Sequence, residues 1–550
     1  MDPTLTQTPE LTLEQALGQQ LMFSFAGTQP SPEILETLRR QHVGGVTLFR
    51  SLNVQTPAQV RDLSAALQRA ASDSGQSLLL IAADQEGGQL MAIGDGTTPF
   101  PGHMALGATG STELAYQTGY AIGHELAAMG INVNYAPVCD VNVNPDNPVV
   151  GARSFGEDPA LVARLSAAMV EGQQAAGIAA VAKHFPGHGD TATDSHHGTP
   201  ILPHDEARLH RIELPPFAAA VQAGVKMIMT AHIALPALNG GSDMPATLSA
   251  AVLRKLLRRE LGFEGVIVSD ALEMEAIEQG AGLGIDAIAA VVAGVDILML
   301  NASINDQHII TSALRQALRR TLIAADDVRA SAGRILALKR WLGEQTQPPF
   351  EVIGCAEHRA LALESARRAI TLVRDDAQRL PLRLSAAARL AVIVPRPADL
   401  TPADTSSYIV PTLADAVRHY HPTVDDIIAP LNPSDADVAA LRQRVSGCDH
   451  VIVGTINTAA HPGQAALVNT LLADGIPTTV VALRLPYDLL AFPVAPTYLC
   501  TYGILGPSME ALAGALFGQI PCRGQLPVSI PGLYPIGHGI VQEMEAPVSL

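Results

Sequence analysis

The densest chemistry in the sequence is the run KHFPGHGDTATDSHHGTP at 183–200. After Lys183 it brings His184, His188, Asp190, Asp194 and His196 within fourteen residues, interrupted by proline and glycine. A run this polar and this rich in breakers is a loop. A long loop without structure of its own is functional or disordered. Histidines interleaved with carboxylates favour the functional reading, because a carboxylate orients an imidazole and tunes it near neutral pH. A second candidate is Asp270, which closes the run GVIVSD at 265–270. A carboxylate at a strand end can serve as a nucleophile against an oxocarbenium-like centre. It can equally cap a following helix, and spacing alone leaves both readings open.

Such groups need a frame to converge. Short apolar runs at 43–49, 77–84, 131–137, 179–185, 225–232, 265–270 and 294–300 read as strands. Ala/Leu-rich amphipathic stretches alternate with them. The runs are continuously apolar, so both faces are buried and the sheet is parallel. Seven or eight such units over roughly 340 residues predict a (β/α)8 TIM-type barrel. A doubly wound sheet is the competing arrangement. Four of the runs end in polar residues: Asp84, Lys183 with His184, His232 and Asp270. A barrel gathers such ends on one face, whereas helix capping would leave them scattered.

The expected organisation is a catalytic barrel over residues 1–342, a linker over 343–358 containing GEQTQPPFE, and an α/β sandwich over 359–550. In the last part, runs at 389–395, 450–455, 478–483 and 497–502 read as strands, and EHRALALESARRAITLV reads as a helix. No GxGxxG opens a helix after its first strand, so nucleotide binding has little support.

Composition narrows the function classes. The 550 residues are 48% hydrophobic and 16% charged, with a formal net charge of −18. That supplies ample core and disfavours nucleic acid or an anionic membrane as partner. Five scattered cysteines with no CxxC spacing point to free thiols in a reducing compartment rather than to zinc or a disulfide framework. The N-terminus shows no basic and apolar leader, and no apolar run reaches membrane-spanning length, which predicts a cytoplasmic protein. Only four of the 35 basic residues are lysine. Lys183 therefore stands out as a compact ammonium suited to sugar hydroxyls.

The segments DQEGG (84–88), NPVVGARSFGEDP (147–159), KHFPGHGDTATDSHHGTP (183–200) and SDALEM (269–274) occur in that order. Together they resemble glycoside hydrolase family 3, two-domain form, of the β-N-acetylglucosaminidase type. The DSH tripeptide at 194–196 is the most specific element. The stretches at 367–382, 486–492 and 515–539 resemble the family's second domain. The resemblance implies a barrel followed by an α/β/α sandwich. It also implies a retaining β-N-acetylhexosaminidase acting on terminal N-acetylglucosamine, with peptidoglycan fragments as substrate. Asp270 would be the nucleophile, His196 the general acid/base and Asp194 its partner. Asp84, Arg153, Lys183 and His184 would bind the sugar, and His232 could line the pocket floor. An imidazole titrating near 6.5 suits a group that acts first as acid and then as base. His188 and Asp190 are expected to hold the loop's shape, His197 and His204 to be solvated, and Glu273 to brace a helix start. No metal or cofactor is expected. The expected partner is a small carbohydrate, and the assembly a monomer or homodimer.

The chain departs from the family pattern after DQEGG, where Gln89 and Ala92 stand in place of expected arginines. One of those arginines would bind substrate, so sugar and aglycone preference stay open. Alternative readings are a phosphorylase using the same residues, which a neutral His196 would permit, and a metal-dependent hydrolase built on His188, Asp190, Asp194, His196 and His197. A non-catalytic carbohydrate binder would lack the nucleophile or acid, and substrate assistance by the acetamido group would leave no covalent adduct on Asp270.

Overall fold

The computed structural model describes residues 11–195, 198–277, 280 and 282–542. Eight parallel strands form the first sheet: β1 (Leu21–Phe23), β2 (Gly45–Thr47), β3 (Leu80–Ala83), β4 (Val133–Asn134), β5 (Ala179–Phe185), β6 (Met227–Thr230), β7 (Val266–Ser269) and β8 (Leu298–Leu300). They pair in chain order, and β8 also pairs with β1. A parallel bridge between Val268 and Ile297, with Ser269 N donating to Ile297 O at 2.9 Å, joins β7 to β8 and closes the ring. Seven of these strands coincide with the apolar runs in the sequence. The eighth, β1, lies only one residue beyond the helix Leu13–Gln19. Three residues are too few for a periodic signal to emerge beside a helix.

Strand register decides which residues reach the site. Side chains alternate between the two faces of a strand. One packed set joins Met22, Leu80, Ala82, Ala179, Val181, Met227, Met229, Val266, Val268 and Met299 inside the ring. The intervening residues, among them Ile81, Ala83, Ala180, Ala182, Ile228 and Ile267, pack outward against the helices. Leu338 and Leu342 of the helix Ala325–Gly343 pack with the interior set. Continued by one step, the inward rows of β3, β5 and β7 arrive at Asp84, Lys183 and Asp270. The outward row of β6 arrives at His232. The helices between are stopped and started by ordinary signals. Pro57–Asp73 and Pro159–Ala175 each carry proline in the first turn, and Thr56 and Asp158 accept from their first free N–H groups.

The second domain is a six-stranded mixed sheet with helices packed on both faces. Its strands are β9 (Thr371–Asp375), β10 (Leu390–Pro395), β11 (Val424–Ala429), β12 (His450–Thr455), β13 (Thr478–Ala482) and β14 (Thr497–Cys500), in the order β9-β14-β13-β12-β10-β11. Only β9 runs antiparallel to its neighbour. Two of these strands differ from the sequence expectation. The predicted helix 357–373 ends at Ala369 and its last residues open β9, because Thr371 and Leu372 are buried in the sheet. The edge strand β11, VDDIIA, carries two adjacent aspartates and is not among the expected strands.

The two domains meet closely. Met104, Ala105 and Ala152 of the barrel share an apolar core with second-domain side chains. A hairpin that follows β3 (Gln85–Gly87 with Leu90–Met91) is clasped from the other domain. Thr405 N and Oγ1 donate to the Gln89 carbonyl at 2.8 and 2.9 Å, and Met91 N donates to Thr405 Oγ1 at 3.2 Å. No described helix is long and apolar enough to cross a membrane.

Candidate active site

Asp84, Lys183 and Asp270, the ends of three inward rows, open into one cavity of about 440 Å³ at the C-terminal mouth of the barrel. Arg153, His184 and His188 share its wall, as do Asp399, Asp404 and Thr405 of the second domain. The second domain therefore contributes a wall of the cavity.

A residue not selected from sequence organises the cationic side. Glu86 lies in the hairpin two positions after Asp84 and is fully buried. Arg153 donates to its carboxylate through Nε at 3.0 Å and Nη2 at 2.7 Å, and Lys183 Nζ lies 2.7 Å away. Lys183 also donates to Asp84 Oδ1 at 2.6 Å. Burial by itself would raise the Glu86 carboxyl, but the guanidinium and the ammonium hold it far below the usual carboxylate range. Lys183 titrates above its ordinary value: burial pulls it down, and Asp84 and Glu86 more than offset that. Both cations therefore stay charged and fixed in position at the cavity wall.

Asp140 plays the matching role for the histidines. It is buried, and its carboxylate accepts from His184 N at 3.2 Å and His188 N at 2.7 Å, with His184 Nδ1 at 2.7 Å. Burial opposes its ionisation, but His184 and His188 keep its carboxyl below the ordinary range. Arg153 Nη2 lies 3.3 Å from His184 Nε2. A guanidinium can only donate, so this nitrogen accepts and the ring proton sits on Nδ1, facing Asp140. His188 is held by Thr191 Oγ1 at 2.6 Å and Ser195 Oγ at 3.1 Å while it lines the cavity. Asn147 ties the Arg153 segment to this loop by donating to the His188 carbonyl at 2.9 Å and to the Thr191 carbonyl at 3.1 Å.

Further along the loop the sequence expectations divide. Asp190 holds the loop's shape through His204 Nε2 at 2.6 Å and Arg208 Nη2 at 3.2 Å. His204 is thus paired rather than solvated. Asp194 is buried in the loop. His196 and His197 lie outside the described residues. Their neighbours anchor to the segment after β7: Ala276 N donates to Ser195 O at 3.4 Å, and Thr199 Oγ1 donates to Ala276 O at 3.4 Å. The metal-hydrolase reading finds no matching cluster among the described residues. The one group there with metal-ligand spacing, Glu206, His210 and Glu260, is exposed and includes none of the loop residues on which that reading rests.

Asp270 does not cap a helix. Its Oδ1 accepts from Ala271 N at 2.8 Å, and the described residues after it form turns, with the next helix starting at Leu283. Glu273 accordingly braces no helix start and lines the cavity instead. His232 needs the larger correction. It was expected on the pocket floor, yet it is fully buried behind the wall. Its Nε2 donates to the Ala271 carbonyl at 3.0 Å, and Nδ1 sits 2.8 Å from Thr247 Oγ1. From there it positions the backbone beside Asp270 without facing the cavity.

Two buried imidazoles set a pH dependence. Burial holds His103 and His188 down at about 4 each, against the opposing pull of Glu86 on the first and Asp140 on the second. The unfolded chain protonates the same rings below about 6.5. Between about 4 and 6.5 the unfolded state binds more protons, so stability rises with pH across that window and levels off above it. Thermal unfolding at pH 5 is expected at lower temperature than at pH 7.5. His103→Leu should shrink that difference, and a melting temperature indifferent to pH in both proteins would contradict the assignment.

Residues 12–338, which contain every barrel group named above, match the Glycosyl hydrolase family 3 N terminal domain. The chain belongs to glycoside hydrolase family 3. This family 3 enzyme is 35% identical to Beta-hexosaminidase A of Pseudoalteromonas piscicida over 96% of its own length and 98% of that protein. It is 30% identical to a Beta-N-acetylglucosaminidase/beta-glucosidase of Cellulomonas fimi over 95% and 94% of the two chains. Its fold matches a solved glycoside hydrolase family 3 beta-N-acetylglucosaminidase from Paenibacillus sp. str. FPU-7 with a TM-score of 0.90 and 38% identity, covering 95% of this chain and 99% of that one. The chain is a glycoside hydrolase of the two-domain form.

Proposed function

We propose that this glycoside hydrolase removes terminal, non-reducing β-linked N-acetylglucosamine by double displacement. Peptidoglycan fragments are the proposed natural substrates. Asp270 attacks the anomeric carbon while His196, oriented by Asp194, gives its proton to the departing oxygen. A glycosyl ester on Asp270 results. Neutral His196 then takes a proton from water, and the oxygen of that water displaces the carboxylate with net retention. Asp84, Arg153, Lys183 and His184 hold the sugar's hydroxyls and acetamido group. The observation that carries this reading is that Asp270 shares one cavity with these four residues. The bonds from Ala276 to residues 195 and 199, on either side of His196, add support. The names of the relatives in Cellulomonas and Paenibacillus point to the same sugar, and that of the Pseudoalteromonas relative to a β-hexosaminide.

The test is a series of p-nitrophenyl and less activated β-N-acetylglucosaminides, with the β-glucoside as comparison, on the wild type and His196→Ala. The variant is expected to lose about 10²- to 10⁴-fold on poor leaving groups and far less on activated ones, because only a poor leaving group needs a proton to depart. A uniform loss across the series would remove His196 from that role. Release of sugar 1-phosphate in phosphate buffer would turn the reading toward phosphorolysis.

A further inference from the structure

Ser195 directly precedes His196, and its side chain has a partner that the reaction above does not call on. The described residues between 189 and 200 form no helix or strand, so the loop that carries His196 is held by side chains. The anchor is His188. Burial keeps that imidazole down at about 4, so at neutral pH it carries a single ring proton and offers one donor and one acceptor. The Thr191 hydroxyl donates to the His188 carbonyl at 3.0 Å, and its oxygen lies 2.6 Å from Nδ1. One hydroxyl proton cannot serve both bonds. The ring proton therefore sits on Nδ1, and Nε2, 3.1 Å from Ser195 Oγ, accepts from the serine hydroxyl. Both residues are buried, and both line the cavity.

The anchor is itself braced. His188 N donates to Asp140 Oδ1 at 2.7 Å, on the same carboxylate that holds His184. At the next residue, Gly189, a Cβ would fall 1.9 Å from the Val141 carbonyl oxygen, so the base of the loop lies directly against the segment after β4. From another side, Ala276 N donates to the Ser195 carbonyl at 3.4 Å, on the segment that follows Asp270. Ser195 is thus tied through its side chain to the wall that holds His184 and through its backbone to the stretch that carries Asp270. The next Cα along the chain is one peptide away, about 3.8 Å. On the proposed function, on which this inference rests, His196 passes a proton to the oxygen leaving the anomeric carbon. Misplacing such a group by about 1 Å costs on the order of 100-fold. We propose that the bond from Ser195 to His188 is a latch that sets the position of His196, and that Ser195 and His188 are positioning residues of the proton-transfer step.

The experiment measures kcat and KM on p-nitrophenyl and methyl β-N-acetylglucosaminides for the wild type, Ser195→Ala, Ser195→Thr, His188→Leu and the variant with both Ser195→Ala and His188→Leu. Ser195→Ala is expected to lose about tenfold in kcat on the methyl glycoside, the worth of one hydrogen bond, and less than about threefold on the p-nitrophenyl compound, which departs without a proton. KM stays near the wild-type value. Ser195→Thr keeps the hydroxyl and recovers most of the loss. The doubly substituted protein is no slower than His188→Leu alone, because both changes remove the same bond. Should His188→Leu fail to fold, the two serine variants decide on their own. A serine that only supported the fold would slow both substrates by the same factor. An equal loss on both substrates, no loss in Ser195→Ala, or losses that add in the double variant overturns the latch. His196→Ala is assayed alongside. If its loss spares the p-nitrophenyl compound while one of those outcomes holds, the latch alone has failed. If its loss is equal on both, the proposed acid has failed and the latch falls with it.

Discussion

Asp270→Asn is expected to fold like the wild type and to turn over N-acetylglucosaminides on the order of 10⁴-fold more slowly. The side chain accepts a hydrogen bond from Ala271 N, which an amide oxygen can also accept. The substitution therefore removes the charge and nucleophilicity of the carboxylate with little change of packing. Its effect should appear almost wholly in kcat, because the lost interaction forms only as the anomeric carbon develops positive charge. A 5-fluoro N-acetylglucosaminyl fluoride, which keeps the acetamido group, should label the wild type on the peptide containing Asp270 and leave the variant unlabelled. An unlabelled wild type that still hydrolyses with retention would assign the nucleophile to the acetamido group instead.

Glu86→Gln is expected to damage both stability and turnover. The carboxylate is the common partner of Arg153 and Lys183, each almost completely buried. Without it, Lys183 keeps only the partly exposed Asp84 as a bonded carboxylate, and Arg153 is left with the longer-range pull of Asp140 and Asp84. Leaving a buried charge uncompensated costs about 3–5 kcal/mol, far more than an intact pair contributes over an apolar substitute. The same loss frees Arg153 and Lys183 to shift, and displacement of positioning groups by about 1 Å can cost roughly 100-fold in rate. Chemical denaturation and kcat/KM measured on one preparation test both effects. A variant within about 1 kcal/mol of wild-type stability and with normal turnover would refute the role of Glu86. Because its folded value is depressed, the stabilisation from Glu86 is present at neutral pH and is lost as the solution turns acid through the carboxylate range and below.

How far each residue could be read depended on what kind of signal it left. Asp84, Lys183 and Asp270 were legible because each ends a continuous apolar run, and such runs announce burial on both faces. The two-residue period held more than was drawn from it. Counted from Met227 and Met229, the inward row of β6 does not include His232. Glu86 and Asp140 escaped because neither ends a strand-like run. Their importance lies in partners 67 and 44 positions away, Arg153 and His184. His204, paired with Asp190, was indistinguishable from a solvated loop histidine without a view of its neighbour.

By itself, the sequence determined the barrel, the second sheet and the stretch of loop rich in histidine and aspartate. Burial of apolar runs and the breaking of helices by proline and glycine are local effects, and local order records them. The ionic hub at Glu86, the retreat of His232 behind the wall and the clasp between Gln89 and Thr405, 316 positions apart, were decided only by tertiary structure. Charge pairing and hydrogen bonding fall off over a few ångströms of space, and only the closure of the ring and the seating of the second domain bring those atoms within that distance.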